Sequence, residues 1–268
     1  MITAIALWVA WRAMRPVSQP LTRLSVELPE FALTSQYAPG AGAILSPDGR
    51  RIVYTGRGRD GTFRLYTRTL DQEQAAPLGG TEGAYGPFYS PDGQAVGFFA
   101  GGKLKKTSIE RGGVVVLSVD ASQGIGGSWG EDGSIIAALN GPASVLSRIP
   151  SGGGTVQPVT ELKPERKEYG HSWPQVLPGA QVVLFTALPT TSTVFDQAAI
   201  EVQSLKTGER KTIMRGGYYG RYVPSGHLLY VHQGTLYAAP MDLKRLELTG
   251  PAAPVVEEVV SSTSLGFA

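Results

Sequence analysis

Cysteine is absent from this chain of 268 residues, so disulfides and thiolate metal sites are excluded and stability must come from packing alone. A dominant charge sign is missing too: 24 basic residues face 22 acidic ones, and charged residues make up only 17% of the whole. The one basic group, Lys103, Lys105 and Lys106, is short and reads as a solvated strand face, so nucleic acid is not an expected partner. Histidine is scarce. His171, His227 and His232 are too few and too dispersed to form a close ligand set, and neither a metal nor a cofactor is expected. Long apolar runs are also lacking: as a helix, the stretch from Ile2 to Trp11 would rise only ~15 Å against a hydrocarbon core of ~30 Å. It reads as the tail of a transmembrane helix, with a poor signal sequence or a surface helix as alternatives, because Met1 alone precedes the run while Arg12 and Arg15 follow it. The expected division is a partial transmembrane or signal-like helix over 1–15, a proline-bounded linker over 16–23, and a β domain over 24–268.

What the chain has in plenty is turn formers. Its 35 glycines and 19 prolines, beside a 42% hydrophobic content, imply frequent tight turns between short buried elements rather than long helices. The turns recur. Leu45-Ser46-Pro47-Asp48-Gly49 precedes the β-prone Arg51 to Tyr54, and Tyr89-Ser90-Pro91-Asp92-Gly93 precedes Ala95 to Phe99. Weaker copies are Trp129-Gly130-Glu131-Asp132-Gly133, Val176-Leu177-Pro178-Gly179 and Tyr222-Val223-Pro224-Ser225-Gly226. Gly49, Gly93, Gly133, Gly179 and Gly226 are separated by 44, 40, 46 and 47 residues, the spacing of four-stranded propeller blades. Proline presets φ at the first central turn position, aspartate bonds nearby backbone, and glycine accepts the positive φ where the chain reverses. Within the repeat, Ala43 to Ser46 is the expected inner strand of the first unit, Arg51 to Thr55 the second, Phe63 to Leu70 the third and Ala75 to Leu78 the outer one. Downstream third strands are expected at Lys103 to Lys106, Ser144 to Ser147, Ile200 to Gln203 and Thr235 to Ala238. The expected fold is therefore an all-β propeller of about five four-stranded blades, an incomplete six-bladed ring with a short N-terminal apolar helix. Leu265 to Ala268 reads as the start of a sixth inner strand, and Leu24 to Leu28 as a strand able to pair beside the last blade.

With these Ser-Pro-Asp-Gly anchors, residues 43–268 resemble TolB-like, WD-repeat-like propellers. More narrowly, the order of features is similar to the C-terminal region of bacterial membrane-bound serine/threonine protein kinases of the eukaryotic type. The residues that carry this likeness are the apolar tail, the proline linker, Leu21 to Val26, Gly93 to Lys106, His171-Ser172-Trp173-Pro174 and Gly216 to Gly226. The resemblance implies a propeller outside the cytoplasm, on the periplasmic side, anchored through the apolar segment and acting as a sensor or interaction domain for a protein or small molecule. A free-standing TolB-like periplasmic interaction protein is the alternative, and a propeller lyase or hydrolase a further one. The kinase signatures, a Val-Ala-Ile-Lys strand, a His-Arg-Asp loop and Asp-Phe-Gly, are absent from the sequence, so the chain is not expected to be an enzyme.

Two motifs resemble catalytic ones. Gly56-Arg57-Gly58-Arg59-Asp60-Gly61 fits the dinucleotide fingerprint, but that motif opens a helix, and Thr62 to Leu70 reads as a strand. Gly126-Gly127-Ser128-Trp129-Gly130 fits the nucleophile elbow, yet Ser128 enters an inner strand and no spacing brings a histidine to it. Asp48, Asp92 and Asp132 recur at turn positions, and the turn explains them. The positions most informative for function lie in or just before the inner strands, whose loops gather around one end of a propeller's channel. Tyr85, Trp129, His171, Trp173, Tyr219 and Arg221 are the candidates there. Aromatic residues and arginine often anchor recognition surfaces, and aromatics near a hub also commonly pack between blades.

Overall fold

The structure, a computed structural model, describes residues 26–28, 41–190 and 195–259. The expected helix at 1–15, the linker at 16–23 and the strand start at 265–268 lie outside the described residues. Among those described, no helix is long and apolar enough to cross a membrane.

The repeat becomes five antiparallel sheets built from consecutive strands, four of them four-stranded and the last carrying a fifth strand. Blade 1 is β1 (Ala43–Leu45), β2 (Arg51–Arg57), β3 (Phe63–Thr69) and β4 (Ala76–Pro77); blade 2 is β5 (Tyr85–Tyr89), β6 (Ala95–Ala100), β7 (Lys103–Ser108) and β8 (Gly112–Ser118). Blade 3 is β9 (Gly127–Trp129), β10 (Ser134–Ala138), β11 (Leu146–Pro150) and β12 (Gln157–Pro158). Blade 4 is β13 (Glu168–Val176), β14 (Val182–Pro189), β15 (Ala199–Ser204) and β16 (Arg210–Arg215). In blade 5, β17 (Tyr218–Val223), β18 (His227–His232) and β19 (Thr235–Asp242) are followed by β20 (Glu247–Leu248) and β21 (Ala253–Val256), which both pair with β19.

The anchor turns work as their residue types dictate. Ser90 Oγ donates to Asp92 Oδ1 at 2.6 Å, the Gln94 amide donates to the same oxygen at 3.0 Å, and the Ala95 amide donates to Ser90 Oγ at 2.9 Å. Ser46, Asp48, Arg50 and Arg51 repeat that circuit in blade 1. These bonds hold the Asp48 and Asp92 carboxyls below their ordinary range, the serine hydroxyl being the larger cause in each.

Alternation along the second strands then glues the blades. In β10, Ile135 and Ala137 face blade 2 with Phe99 and Leu104, while Ile136 and Ala138 face blade 4 with Val183 and Phe185. In β14, Leu184 turns the other way, to Leu228 and Met241 of blade 5. Val53 and Leu65 meet Val96 and Phe98 between blades 1 and 2. Each large aliphatic or aromatic side chain among these contributes about 1.5–3 kcal/mol by leaving water, and each alanine methyl less than about 1 kcal/mol.

Two expectations shift. The third strand of blade 3 begins at Leu146 rather than Ser144, because Ser144 closes a turn in which its amide and its hydroxyl both donate to the Gly141 carbonyl. Of Leu24 to Leu28, residues 26–28 carry no strand, and Leu28 packs on blade 1 against Ile52, Tyr54 and Tyr66 rather than beside the last blade. The stacked rings of Tyr54 and Tyr66, 5.7 Å apart, offer the apolar surface that takes it.

Candidate functional site

The inner strands β1, β5, β9, β13 and β17 follow one another around a cavity of about 290 Å³ to which all five blades contribute. A repeated backbone distortion shapes its wall. In every blade the anchor turn closes by a bond to the carbonyl of its opening residue, which is Ser90, Gly130, Leu177 and Val223 in blades 2 to 5. Four positions earlier stand Gly86 (φ 58°), Gly126 (φ 90°), Trp173 (φ 51°) and Tyr219 (φ 57°), all left-handed. The ladder slips beside three of them, between Tyr85 and Phe88, Ser172 and Gln175, and Tyr218 and Arg221. Glycine adopts this conformation freely, whereas a side chain there costs roughly 1–2 kcal/mol. Blades 4 and 5 therefore hold two large aromatic residues at strained positions on the cavity wall, the kind of outlier that points to function.

Two residues before the turn-opening positions of blades 3 and 4, a side chain bonds the next blade. Ser128 Oγ accepts the amide of Val176 at 2.9 Å. Gln175 pairs with the Tyr222 backbone in both directions, its Nε2 donating to the carbonyl at 2.9 Å and its Oε1 accepting the amide at 2.7 Å. In blade 5 the equivalent residue is Arg221. Its Nη1 donates back to the Trp173 carbonyl at 2.9 Å and to the Gly220 carbonyl at 2.8 Å, and its guanidinium lies 4.1 Å from the centre of the Tyr219 ring. Among the described residues, Arg221 is the only charged one lining the cavity.

The six residues singled out from sequence divide accordingly. Trp129, Trp173, Tyr219 and Arg221 line the cavity together, although the Trp173 ring is only 3% exposed and packs edge-on against Phe195 at 5.0 Å. Trp129 receives Lys106 Nζ over its ring at 5.7 Å, and that lysine also donates to the Ser151 carbonyl at 2.6 Å, so it is turned toward blade 3. Tyr85 is off the wall: it stacks on Phe99 at 5.7 Å and its hydroxyl accepts the Gly124 amide. Burial raises its pKa, more than that amide lowers it.

His171 is not a channel residue. It is fully buried, placed with Phe185 at 4.8 Å, and its Nδ1 lies 2.8 Å from Thr160 Oγ1. Its Nε2 joins a buried ionic cluster that the sequence reading missed. Arg210 Nη2 donates to Glu168 Oε1 at 2.7 Å and to Glu201 Oε2 at 2.6 Å, and Arg166 Nη1 reaches Glu201 Oε1 at 2.9 Å. Glu168, Glu201 and Arg210 side chains are 5%, 3% and 2% exposed, so these charges are matched inside the protein. Burial alone would raise the Glu168 carboxyl, but bonds from His171, Arg210 and the Lys163 amide outweigh it and hold the group down to about 2. Burial lowers His171, Glu168 opposes that, and the Arg210 charge adds to it. No periodicity marks this set. Its only signal is Arg210 opening an outer strand, where charge is usually solvated.

The catalytic look-alikes are absorbed by the fold. Arg57 ends β2, Phe63 begins β3, and residues 58–62 form the hairpin loop between them, closed by the Arg64–Asp60 ion pair at 2.8 Å. Ser128 lies within β9, while the hydrogen bonds of His171 and His227 go to Thr160 and Glu168 and to Ser225 respectively, and His232 lies 3.6 Å from Asp196. Among the described residues no group of three or more histidine or acidic side chains could hold a metal ion.

No protein-family model matches the chain, and no curated protein does. Solved structures do match. TolB from Acinetobacter baumannii superposes with a TM-score of 0.63 at 15% identity, covering 83% of this chain and 55% of that one. A TolB candidate from Agrobacterium tumefaciens gives 0.57 at 16% identity over 66% of this chain and 68% of the other. Regucalcin, a calcium-binding protein of the same organism, gives 0.50 at 14% identity over 66% and 60%. At such identities the likeness is one of fold: this is a β-propeller, similar in fold to the TolB structures, and it spans about half the length of the Acinetobacter protein.

Proposed function

We propose that the chain is a non-catalytic interaction propeller that receives a ligand or a partner's segment at the wall of its central cavity. The observation that carries this is the bulged wall itself, where Trp173 and Tyr219 occupy left-handed positions that glycine fills in blades 2 and 3, and where Tyr219 supports Arg221. Strain without gain would favour glycine at both. We place this domain outside the cytoplasm as the sensor region that follows the membrane helix of a bacterial serine/threonine kinase, in keeping with the sequence features that resemble those proteins. The fold shared with TolB favours a second reading, a free-standing periplasmic interaction protein.

A fragment and peptide screen monitored by side-chain NMR tests the main reading. Binders should perturb Trp129 and Tyr219 and lose affinity in Trp129→Ala. Binders mapping only to the blade rims would remove the cavity from consideration, and turnover of any hit that disappears in Ser128→Ala would overturn the non-catalytic assignment. For the two cellular settings, the reading frame upstream of Met1 and the intact mass of exported protein decide: a kinase frame supports the first, and loss of residues 2–11 the second.

A further inference from the structure

The charge on the cavity wall narrows the ligand. We propose that the site takes a ligand bearing a single carboxylate on an apolar or aromatic body, the carboxylate being gripped by the Nε–Nη2 edge of Arg221. This rests on the cavity being the binding site.

Arg221 is already oriented for such a grip. The ladder slip at Trp173 takes its carbonyl out of the β13–β14 pairing, and that oxygen, with the Gly220 carbonyl, occupies Nη1. The Tyr219 ring at 4.1 Å fixes the guanidinium plane. Among the described residues, Nε and Nη2 have no hydrogen-bond partner and no carboxylate comes within ion-pairing distance. Those two groups are the edge that presents parallel N–H bonds to one carboxylate. Other arginines in this protein show what a satisfied guanidinium looks like: Arg210 is filled by Glu168 and Glu201, and Arg64 by Asp60. The repeat sharpens the contrast. Ser128 and Gln175, at the equivalent places in blades 3 and 4, have committed their polar atoms to the neighbouring backbone, whereas Arg221 has turned back and kept one edge open.

The charge balance sets the valence. With one cation and no acid lining the cavity among the described residues, one negative charge is neutralised, and the second charge of a phosphate monoester would lack a partner. Trp129 and Tyr219 beside the arginine supply flat surface for the ligand's body.

Matched probes separate charge from shape. Benzoate, benzamide and phenyl phosphate would be titrated into the full chain while following the Arg221 Nε–H signal and the Trp129 indole. The expected result is benzoate shifting both signals with a Kd about tenfold below that of benzamide, as a charge-assisted fork predicts. Arg221→Gln should abolish that difference while benzamide binding stays within about twofold, and Arg221→Lys, which keeps the charge and loses the fork, should fall between. Should Arg221→Gln lose the native indole signals, Arg221→Lys decides by itself. Equal binding of benzoate and benzamide at the cavity, tighter binding of phenyl phosphate, or full retention of benzoate affinity in Arg221→Lys would overturn the carboxylate fork and leave the cavity reading standing. No perturbation of either cavity signal by any probe would overturn both.

Discussion

At the scale of single residues, the buried cluster of blade 4 stands in place of the channel role expected of His171. Arg210 bridges two carboxylates, so its removal leaves Glu168 buried with Arg166 no nearer than 4.0 Å, while Glu201 keeps Arg166 at 2.9 Å. Arg210→Met should cost about 3–5 kcal/mol in urea unfolding, whereas removing Arg245, an exposed arginine 3.6 Å from Glu247 on blade 5, should cost less than about 1 kcal/mol. The same cluster sets an acid limit. His171 and Glu168 both have folded pKa values below their ordinary ones, so the unfolded chain binds more protons and stability falls as pH falls. The His171 contribution is complete above its ordinary value near 6.5 and declines below it; that of Glu168 is complete above about 4.5 and is lost toward about 2. The urea midpoint should accordingly drop in two stages on acidification, and an unchanged midpoint from pH 7 to pH 4 would show that the cluster does not form.

At the scale of elements, the outer strands differ in how they guard their free edges. β4 and β12 are two residues long and contain proline, β16 carries two arginines and a lysine, and β21 contains proline. β8 has none of these devices: its seven uncharged residues include three consecutive valines, with Val115 and Val116 45% and 42% exposed. An exposed, uncharged edge strand invites pairing with another chain. Val116→Lys should reduce light scattering on heating while shifting the unfolding free energy by less than about 0.5 kcal/mol. Greater scattering in the variant would place the vulnerable surface elsewhere. The inner strands teach a different lesson. Their bulges were invisible in blades 4 and 5 because Trp173 and Tyr219 are residue types that sequence reasoning assigns to regular strand, whereas Gly86 and Gly126 could have announced the irregularity in blades 2 and 3.

At the scale of the whole molecule, stability is passed from blade to blade through sheet faces. β10 is buried throughout because blades 2 and 4 cover its two sides, while β21 is exposed along its length. Amide exchange should therefore be slowest in β10 and β14 and faster in β21 by at least about 100-fold. Uniform protection across the five blades would mean that they open only together.

Much of this architecture is written locally. Ser-Pro-Asp-Gly specifies a reversal through bonds among neighbours, so anchors, blade count and most strands could be located from spacing, and even the weak anchors at Leu177 and Val223 close the same turn. Residues that converge from afar follow no such rule. Arg210 meets Glu168 from 42 positions away, Arg221 meets Trp173 from 48, and His171 turns inward while its neighbour Trp173 borders the cavity. The sequence by itself determined the turns and the alternation, because both depend on interactions within a few residues. Only the tertiary structure decided which side chains face the cavity and which pair inside, because a single bulge in a strand reverses the side on which everything after it emerges.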